Sequence, residues 1–325
     1  MPGMPWDDRD EEAKKERQAT VPEQQQERRV PGMSGPLEAV TVGLSALGRE
    51  PDGEKLADAL MSGRFRQLDT SNEYAGGRSE TLIGQALANA GGGAGVTIFT
   101  KADRDPDTGV FDGDRVMRSF EETITRLGVE RLPVYHLHDP FTITLSEAMA
   151  PGGAVPALVS LREQGLVGEI GIAAAGGTLV QDYIRTDAFD AVLTHNRYTL
   201  VDRRGEDILD LATERNMTVF NAAPFGGGIL SGSPRRAGRY GYRPISPEFG
   251  QHVERLRELA ERWGIGLAAA ALHFSLAEPR VHSTVVGVTS VARLEQLGAL
   301  ADTVVPDGFW DEVAALGSPP PSPVD

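Results

Sequence analysis

The stretch LDTSNEYAGGRSE, residues 68–80, joins an apolar, β-rich run to a helical pattern and carries two side chains suited to acid–base chemistry. Asp69 stands at the end of the predicted strand, and Tyr74 stands in the loop that follows it. Two later strand ends add Lys101, which closes the run TIFTK, and His138, which closes the run VYHLH. Reactive side chains at the carboxyl ends of successive strands are typical of a parallel α/β barrel, in which those ends form one face.

The rest of the chain alternates in the way that this fold requires. The predicted strands are 39–45, 65–69, 96–101, 132–138, 168–172, 189–194, 217–221 and 283–286. The predicted helices are 53–62, 79–90, 113–127, 155–165, 178–185, 204–215, 248–263 and 290–301, with a further helical piece at 267–277. This alternation predicts an α/β fold, a single-domain (β/α)8 TIM barrel. A doubly wound sheet is the alternative, but no glycine-rich dinucleotide fingerprint and no GxxxxGK[ST] phosphate loop follows a strand.

The two ends of the chain differ in composition from the part between them. Residues 1–34 are charged and glutamine-rich and show almost no apolar periodicity, which predicts a disordered leader. The last residues, GSPPPSPVD at 317–325, predict a proline-rich tail without core-forming side chains. The barrel is therefore predicted to occupy residues 35–316.

Composition limits the function classes. The chain has 325 residues, 40% of them hydrophobic, which is enough for one large core. It has no cysteine, so thiolate chemistry and disulfides are excluded. The net charge of −15 disfavours nucleic acid and anionic membranes as partners. No apolar run approaches bilayer length, so we expect a cytoplasmic protein, a monomer or a small homo-oligomer, that acts on a small molecule.

The four polar side chains suit a proton transfer from a phenol. A free tyrosine has a pKa of about 10 and is a poor acid near neutral pH, but an adjacent ammonium group eases the release of its proton. Lys101 can supply that charge, Asp69 can hold Lys101 in place, and His138 can orient a substrate carbonyl toward Tyr74. His136, two residues earlier on the same strand face, is interpreted as a core or supporting histidine. Since no side chain donates hydride, a nicotinamide cofactor is required.

The order D-x(4)-Y-x(5)-E, then a strand-end T-K, then a strand-end H-D-P resembles the aldo/keto reductase family in its catalytic tetrad. The resemblance covers about residues 36–305 and assigns the tetrad to Asp69, Tyr74, Lys101 and His138. It implies an NAD(P)-dependent oxidoreductase that interconverts an aldehyde, ketone or sugar lactol with an alcohol or lactone, using Tyr74 as the general acid or base. The segments HNRYTL and NAAPF are most similar to the branch that contains sugar 1-dehydrogenases and pyridoxal dehydrogenases.

The segment after the last predicted strand is a candidate cofactor site. Thr289 or Ser290 can cap the next helix, whose free N–H groups then form an anion site, and Arg293 adds positive charge one turn further on. By resemblance this segment holds the adenosine half of NADP(H) or NAD(H), the loop after the seventh strand covers the pyrophosphate, and an amide side chain holds the carboxamide. The implied cofactor-binding residues are Asn196, Phe225, Gly226, Gly228, Gly287, Thr289, Ser290, Arg293 and Gln296.

Three departures from the family pattern leave the cofactor choice open. The chain has Ala173-Ala174 where many members have Ser-Asn, Ala222 where many have a stacking aromatic, and Gly287 where some have a lysine for a 2′-phosphate. Two other function classes also remain as alternatives. One is a metal-dependent hydrolase built on His136, His138 and His195, although no metal site is predicted. The other is a non-catalytic barrel that binds the cofactor.

The loop SGSPRRAGRYGYRPISP, residues 231–247, collects four arginines and two tyrosines in an otherwise acidic body. It predicts either a solvated loop or a lid that closes over a dinucleotide. The substrate itself is not readable, because the loops after the third, fourth and seventh strands would determine specificity.

Overall fold

Eight parallel strands close into a barrel in the computed structural model, which describes residues 28–92, 95–232 and 238–323. They are β1 (Val40–Gly43), β2 (Gln67–Asp69), β3 (Thr97–Ala102), β4 (Leu132–His138), β5 (Val167–Ala174), β6 (Ala191–His195), β7 (Thr218–Ala222) and β10 (Ser283–Gly287). The order around the barrel is β1-β10-β7-β6-β5-β4-β3-β2, so β10 pairs with both β1 and β7. The predicted barrel is confirmed, and the carboxyl ends of its strands share one mouth.

Helices lie between the strands along the chain and after the last strand. They are α1 (Gly53–Ser62), α2 (Arg78–Asn89), α3 (Gly113–Leu127), α4 (Leu145–Met149), α5 (Ala154–Glu163), α6 (Gly177–Ile184), α7 (Glu206–Glu214), α8 (Pro247–Arg262), α9 (Leu267–Leu276), α10 (Val291–Ala301) and α11 (Asp307–Ala315). None of the described helices is both long enough and apolar enough to cross a bilayer.

Helix α3 shows why several predicted bounds coincide with the observed ones. Its first turn is capped by Asp112, whose side chain accepts a hydrogen bond from the backbone N–H of Arg115. Val116 and Phe120 lie on the buried face, as the apolar period predicts. The helix ends at Gly128, which takes the left-handed conformation with φ of 68°. Cap, period and terminating glycine are all local signals, so the sequence alone defines this helix.

Among the described residues, two helices and a hairpin were not predicted. The helix α4 has only five residues, too few for an apolar period, although Thr144 and Glu147 form a capping box at its start. The helix α11 follows the barrel and buries Phe309. A short antiparallel hairpin, β8 (Arg239–Tyr240) and β9 (Arg243–Pro244), lies within the loop after β7.

The N-terminal boundary of the folded part lies before the predicted residue 35. Val30 is buried in the cluster that fills the barrel, and Met33 packs against the same cluster. Arg28 donates from Nε to Thr218 Oγ1 at 2.8 Å and from Nη1 to Asn216 Oδ1 at 3.0 Å. Arg28, Val30 and Met33 therefore take part in the packing of the barrel. The remainder of the predicted leader, residues 1–27, and the last two residues of the predicted tail lie outside the described residues.

Candidate active site

The four residues of the predicted tetrad line one cavity of about 840 Å³ at the mouth of the barrel. Asp69 ends β2, Lys101 is the fifth residue of β3, and His138 ends β4, so three neighbouring strands present them side by side. Tyr74 reaches the same cavity from the β2–α2 loop. The convergence follows from the parallel order of the barrel, because neighbouring strands end at the same face.

Lys101 is the centre of this group and is 1% exposed. Its Nζ donates to Asp69 Oδ1 at 2.7 Å and to the backbone oxygen of Thr70 at 2.6 Å. The same Nζ lies 3.4 Å from the hydroxyl of Tyr74. Burial by itself would lower the pKa of Lys101, but Asp69, Tyr74 and Asp103 together outweigh burial, and the pKa is raised above its usual value. The ammonium group therefore keeps its charge beside the phenol.

Tyr74 keeps its proton near neutral pH. Burial raises its pKa to about 12, although the charge of Lys101 acts in the opposite direction. Lys101 lowers the pKa of Tyr74 as the sequence predicts, but burial raises this pKa by more. A phenol that remains protonated and has a cation 3.4 Å from its oxygen is prepared to donate a proton when negative charge develops on a neighbouring oxygen.

The loop that carries Tyr74 is held from below by α3. Arg115 donates to Asn72 Oδ1 at 2.8 Å, and Arg126 donates to the backbone oxygen of Asn72 at 2.9 Å. Glu80, fully buried, accepts from Thr100 and from Arg126. Glu80 is the last residue of the D-x(4)-Y-x(5)-E pattern, and its place in the structure is under the loop and outside the cavity.

His138 meets a residue that the sequence did not single out. Its Nδ1 lies 2.7 Å from Oδ1 of Asp103, which directly follows β3. Ser71 Oγ lies 3.2 Å from the same Nδ1 and also donates to Asp103 Oδ2. Asp103 stands two residues after Lys101, a spacing that could have indicated it, since alternate residues at a strand end point the same way.

His136 is placed in the barrel interior and does not line the cavity. Its ring packs edge-on against Phe220 at 5.6 Å between centroids. Burial lowers its pKa well below the usual value, so it is neutral. Neither ring nitrogen has a hydrogen-bond partner among the described residues. In residues 28–92, 95–232 and 238–323, no group of three or more His, Cys, Asp or Glu side chains is arranged to hold a metal ion.

The other strands of the barrel line the cavity with small residues. Gly43 on β1, Gly287 on β10 and Ala222 on β7 belong to three neighbouring strands, and Ala173 on β5 also lines the cavity. This arc leaves room for a flat ring beside the polar group. Asn196, with φ of 54°, lines the cavity after β6, and its Oδ1 is buried without a hydrogen-bond partner in the described part of the chain.

The other predicted cofactor residues do not line this cavity. Ser290 caps α10 by accepting from the N–H of Arg293 at 3.3 Å, and Arg293 donates to Gln296 at 2.6 Å. Thr289, Arg293 and Gln296 are exposed. Phe225 directly precedes the 3₁₀ turn Gly226–Ser231, which contains Gly226 and Gly228.

The glycines of this turn have a packing reason that the sequence did not suggest. A Cβ added to Gly226 would lie 2.4 Å from the ring of Tyr240, and one added to Gly227 would lie 2.7 Å from the backbone oxygen of Gly241. Tyr240 is buried and its hydroxyl donates to the backbone oxygen of Asn196 at 3.0 Å. The hairpin is therefore anchored beside the cavity. Two of the four arginines in the predicted lid, Arg235 and Arg236, lie outside the described residues.

Comparisons with known proteins agree with this geometry. The model of the Aldo/keto reductase family matches residues 40–317. Pyridoxal 4-dehydrogenase of Microbacterium luteolum is 27% identical over 310 residues, which cover 85% of this chain and 91% of that protein. D-threo-aldose 1-dehydrogenase of Pseudomonas sp is 30% identical over 283 residues, covering 79% of this chain and 85% of that protein.

A solved structure shows the same fold. The holo form of an aldo-keto reductase from Bacillus halodurans is 20% identical and superposes with a TM-score of 0.73, covering 89% of this chain and 95% of that chain. The family match extends over most of the barrel and includes all four residues that converge at its mouth. The chain belongs to the aldo/keto reductase family.

Proposed function

We propose that Tyr74 exchanges a proton with the reacting oxygen while hydride passes between a nicotinamide dinucleotide and the carbonyl carbon of a small aldehyde, ketone or sugar lactol. As an aldo/keto reductase, the chain is an oxidoreductase that interconverts carbonyl compounds and alcohols with a nicotinamide cofactor. The metal-dependent hydrolase and the non-catalytic barrel are not favoured by this family membership. The observation that carries the residue roles is the 3.4 Å contact between the Tyr74 hydroxyl and Lys101 Nζ inside the cavity.

Each residue has one task in the reductive direction. When bound, the nicotinamide dinucleotide supplies the hydride. As negative charge grows on the substrate oxygen, Tyr74 delivers its proton to that oxygen, and Lys101 stabilises the phenolate that remains. Asp69 keeps Lys101 in position through the 2.7 Å ion pair. His138, at the end of β4, holds the oxygen within reach of Tyr74 by a hydrogen bond. In the oxidative direction the same groups act in reverse.

The residues around the cavity fit a nicotinamide dinucleotide. The buried, unpartnered Oδ1 of Asn196 is an acceptor suited to a carboxamide N–H₂ group. Gly43, Ala222 and Gly287, on the neighbouring strands β1, β7 and β10, leave open space in the cavity for a planar ring. The capped start of α10, with the exposed Arg293, is an anion site suited to a nucleotide phosphate. Phe225, Gly226 and Gly228 remain proposed contacts of the pyrophosphate. NAD and NADP both remain candidates.

The polar rim of the cavity favours a hydroxylated substrate. Asp139 and His195 line the cavity beside His138, and Arg49 lines it from the loop after β1. Acceptors and donors spaced around one opening are what several hydroxyl groups require. The two relatives named above act, by their names, on pyridoxal and on aldoses. We therefore propose sugars and hydroxylated aromatic aldehydes as the substrate class.

The test is the change in nicotinamide absorbance with a panel of aldoses, pyridoxal and simple aldehydes, in both directions and with both dinucleotides. Turnover of any panel member that is lost on Tyr74→Phe supports the proposal. Turnover that survives this substitution unchanged contradicts the assignment of the proton donor. The cytoplasmic location, the oligomeric state and the absence of nucleic-acid partners remain predictions, which fractionation, light scattering and a filter-binding assay would check.

A further inference from the structure

Asp103 is held in the site more rigidly than a surface carboxylate. It is 5% exposed, and both of its carboxylate oxygens have partners. Oδ2 accepts from the Ser71 hydroxyl and from the backbone N–H of Glu73 at 3.0 Å, while Oδ1 faces His138 Nδ1 at 2.7 Å. Its own backbone is fixed from α3, because Arg115 Nε donates to its carbonyl oxygen at 2.9 Å. These contacts hold the Asp103 carboxylate in a single orientation.

The Asp103 carboxyl group is ionised. Burial alone would raise its pKa, but His138, Ser71 and the Glu73 N–H outweigh burial, and the pKa is lowered below the usual value. An ionised carboxylate only accepts hydrogen bonds. A contact of 2.7 Å between its Oδ1 and a ring nitrogen therefore requires the proton to be on His138 Nδ1. The contact with Ser71 requires the same proton position. The Ser71 hydroxyl already donates its proton to Asp103, so its oxygen can only accept a hydrogen bond from His138 Nδ1.

We propose that Asp103 is a positioning residue that keeps a proton on His138 Nδ1 and thereby determines how the opposite nitrogen, Nε2, meets the substrate oxygen. With Nδ1 protonated, the neutral imidazole has a lone pair at Nε2 and can only accept a hydrogen bond there, so it cannot donate to the reacting oxygen. Only the imidazolium form donates from Nε2, as a carbonyl oxygen requires. The role of His138 at the substrate rests on the proposed function, whereas the position of its proton does not.

The charges around His138 come from every strand end that faces it. Asp103 after β3 and Asp139, whose Oδ2 lies 3.8 Å from Nε2, favour the imidazolium form. On the β2 side, Tyr74 contacts the ring edge-on at 5.7 Å, and Asp69 lies close enough for an electrostatic interaction. Lys101 opposes additional positive charge, whereas His136 is neutral and burial lowers the pKa of His195 after β6. The strand β5 contributes the uncharged Ala173 opposite His138.

This arrangement predicts what an amide at position 103 would do. In Asp103→Asn, the Ser71 hydroxyl and the Glu73 N–H would still need an acceptor where Oδ2 now lies, so the amide oxygen would take that place. The amide N–H₂ group would then face His138 Nδ1 and donate to it. His138 would move its proton to Nε2. A comparable substitution in a serine-protease triad leaves the geometry intact but presents the wrong tautomer of the histidine.

The first test reads the proton directly by nitrogen NMR of protein labelled with ¹⁵N-histidine, at a pH where neutral imidazoles dominate. The chain has six histidines, and the signal of His138 is identified by its loss in His138→Gln. We expect Nδ1–H in the wild-type protein and in Asp107→Asn, an exposed position in the same loop that makes the same charge change. We expect Nε2–H in Asp103→Asn. Wild-type protein with Nε2–H, or an unchanged tautomer in Asp103→Asn, overturns the proposal.

The second test follows kcat/KM for the reduction of 4-nitrobenzaldehyde against pH. In the wild-type protein and in Asp107→Asn, Nε2 donates only in the imidazolium form, so kcat/KM should fall by about tenfold per pH unit toward alkaline pH. In Asp103→Asn the neutral imidazole donates from Nε2–H. Its kcat/KM should therefore stay within about twofold over the pH range in which the wild-type value falls. If Asp103 had only a structural role, Asp103→Asn would lower kcat/KM at every pH and keep its fall toward alkaline pH. That result would contradict the proposal. If no variant reduces the aldehyde, the proposed function is in question while the NMR result still decides the tautomer.

Discussion

Lys101 Nζ lies 2.7 Å from Asp69 Oδ1, and both side chains are almost completely shielded from solvent. The second oxygen of Asp69, Oδ2, is buried without a hydrogen-bond partner in the part of the chain that the structure describes. Asp69 therefore depends on Lys101 for most of the stabilisation of its charge. A buried ion pair of this kind adds little net stability, but removing one partner leaves an uncompensated charge.

Lys101→Met should therefore destabilise the barrel as well as abolish turnover. Loss of the ammonium leaves the Asp69 carboxylate buried and unpaired, and we expect the free energy of unfolding to fall by about 3–5 kcal/mol. The double variant Asp69→Asn/Lys101→Met should regain much of this stability while remaining inactive, because the unpaired charge is gone but the cation beside Tyr74 is still missing. Urea denaturation of both variants gives the comparison. Equal stability of the single and double variants would show that the ion pair is not the cause.

Tyr74→Phe should lower kcat without weakening the dinucleotide. The hydroxyl is proposed to act only on the proton in transfer, so its loss should reduce kcat by about 10²–10⁴-fold and leave the dissociation constant of the cofactor nearly unchanged. Tyr242→Phe is the matched control, since Tyr242 lines the cavity mouth and is 77% exposed. Steady-state kinetics and fluorescence titration separate the two effects. A Tyr74→Phe variant as active as wild type would remove Tyr74 from the mechanism.

Arg293→Ala should weaken dinucleotide binding. Arg293 is exposed in the first turn of α10, next to the capping Ser290, and Gly287 provides no second cation. A hydrogen bond to a charged group contributes about 1.5–3 kcal/mol, so we expect a loss of affinity of about tenfold or more, larger for NADP(H) if Arg293 contacts its 2′-phosphate. Calorimetric titration with both dinucleotides measures this loss, and Arg255→Ala, exposed on α8, is the control. Unchanged affinity for both would remove Arg293 from the cofactor site.

Glu169 should make the stability of the barrel depend on pH. Burial raises its pKa from 4.5 to about 7, although Arg28 lies 3.6 Å away and acts against burial. Because the folded state binds this proton more tightly than the unfolded state, the contribution of Glu169 to the free energy of unfolding falls as pH rises from 4.5 to about 7. The total change is about 3 kcal/mol.

Glu169→Gln should remove this dependence. We expect the variant to be more stable than wild type at about pH 8 and equal to it below about pH 4.5, as measured by thermal or urea unfolding across the pH range. Glu163→Gln, an exposed position at the end of α5, should follow the wild-type curve. A constant difference between Glu169→Gln and wild type at all pH values would mean that the substitution acts through packing instead of the proton.

Much of the architecture could be predicted from the sequence, because the residues that define the bounds of helices are close together in the chain. The bounds of α1 and α3 were predicted to the residue, and α3 is defined by an apolar period and a terminating glycine. The helix α4 was missed because five residues do not establish a period, and the hairpin was missed because its Tyr240 is buried by contacts distant in sequence. Residues 28–34 look like a charged leader, but Val30 and Arg28 pack against the base of the barrel.

The sequence by itself determined the fold class and the family. It also predicted that Asp69, Tyr74, Lys101 and His138 lie together, because a parallel barrel brings consecutive strand ends to one mouth. Only the tertiary structure decided how these groups are charged and oriented. Burial, which no local pattern measures, raises the pKa of Tyr74 to about 12 despite Lys101. The contact between Asp103 and His138 joins positions 35 residues apart. Proton positions depend on such distances and on shielding from solvent, and these exist only once the chain has folded.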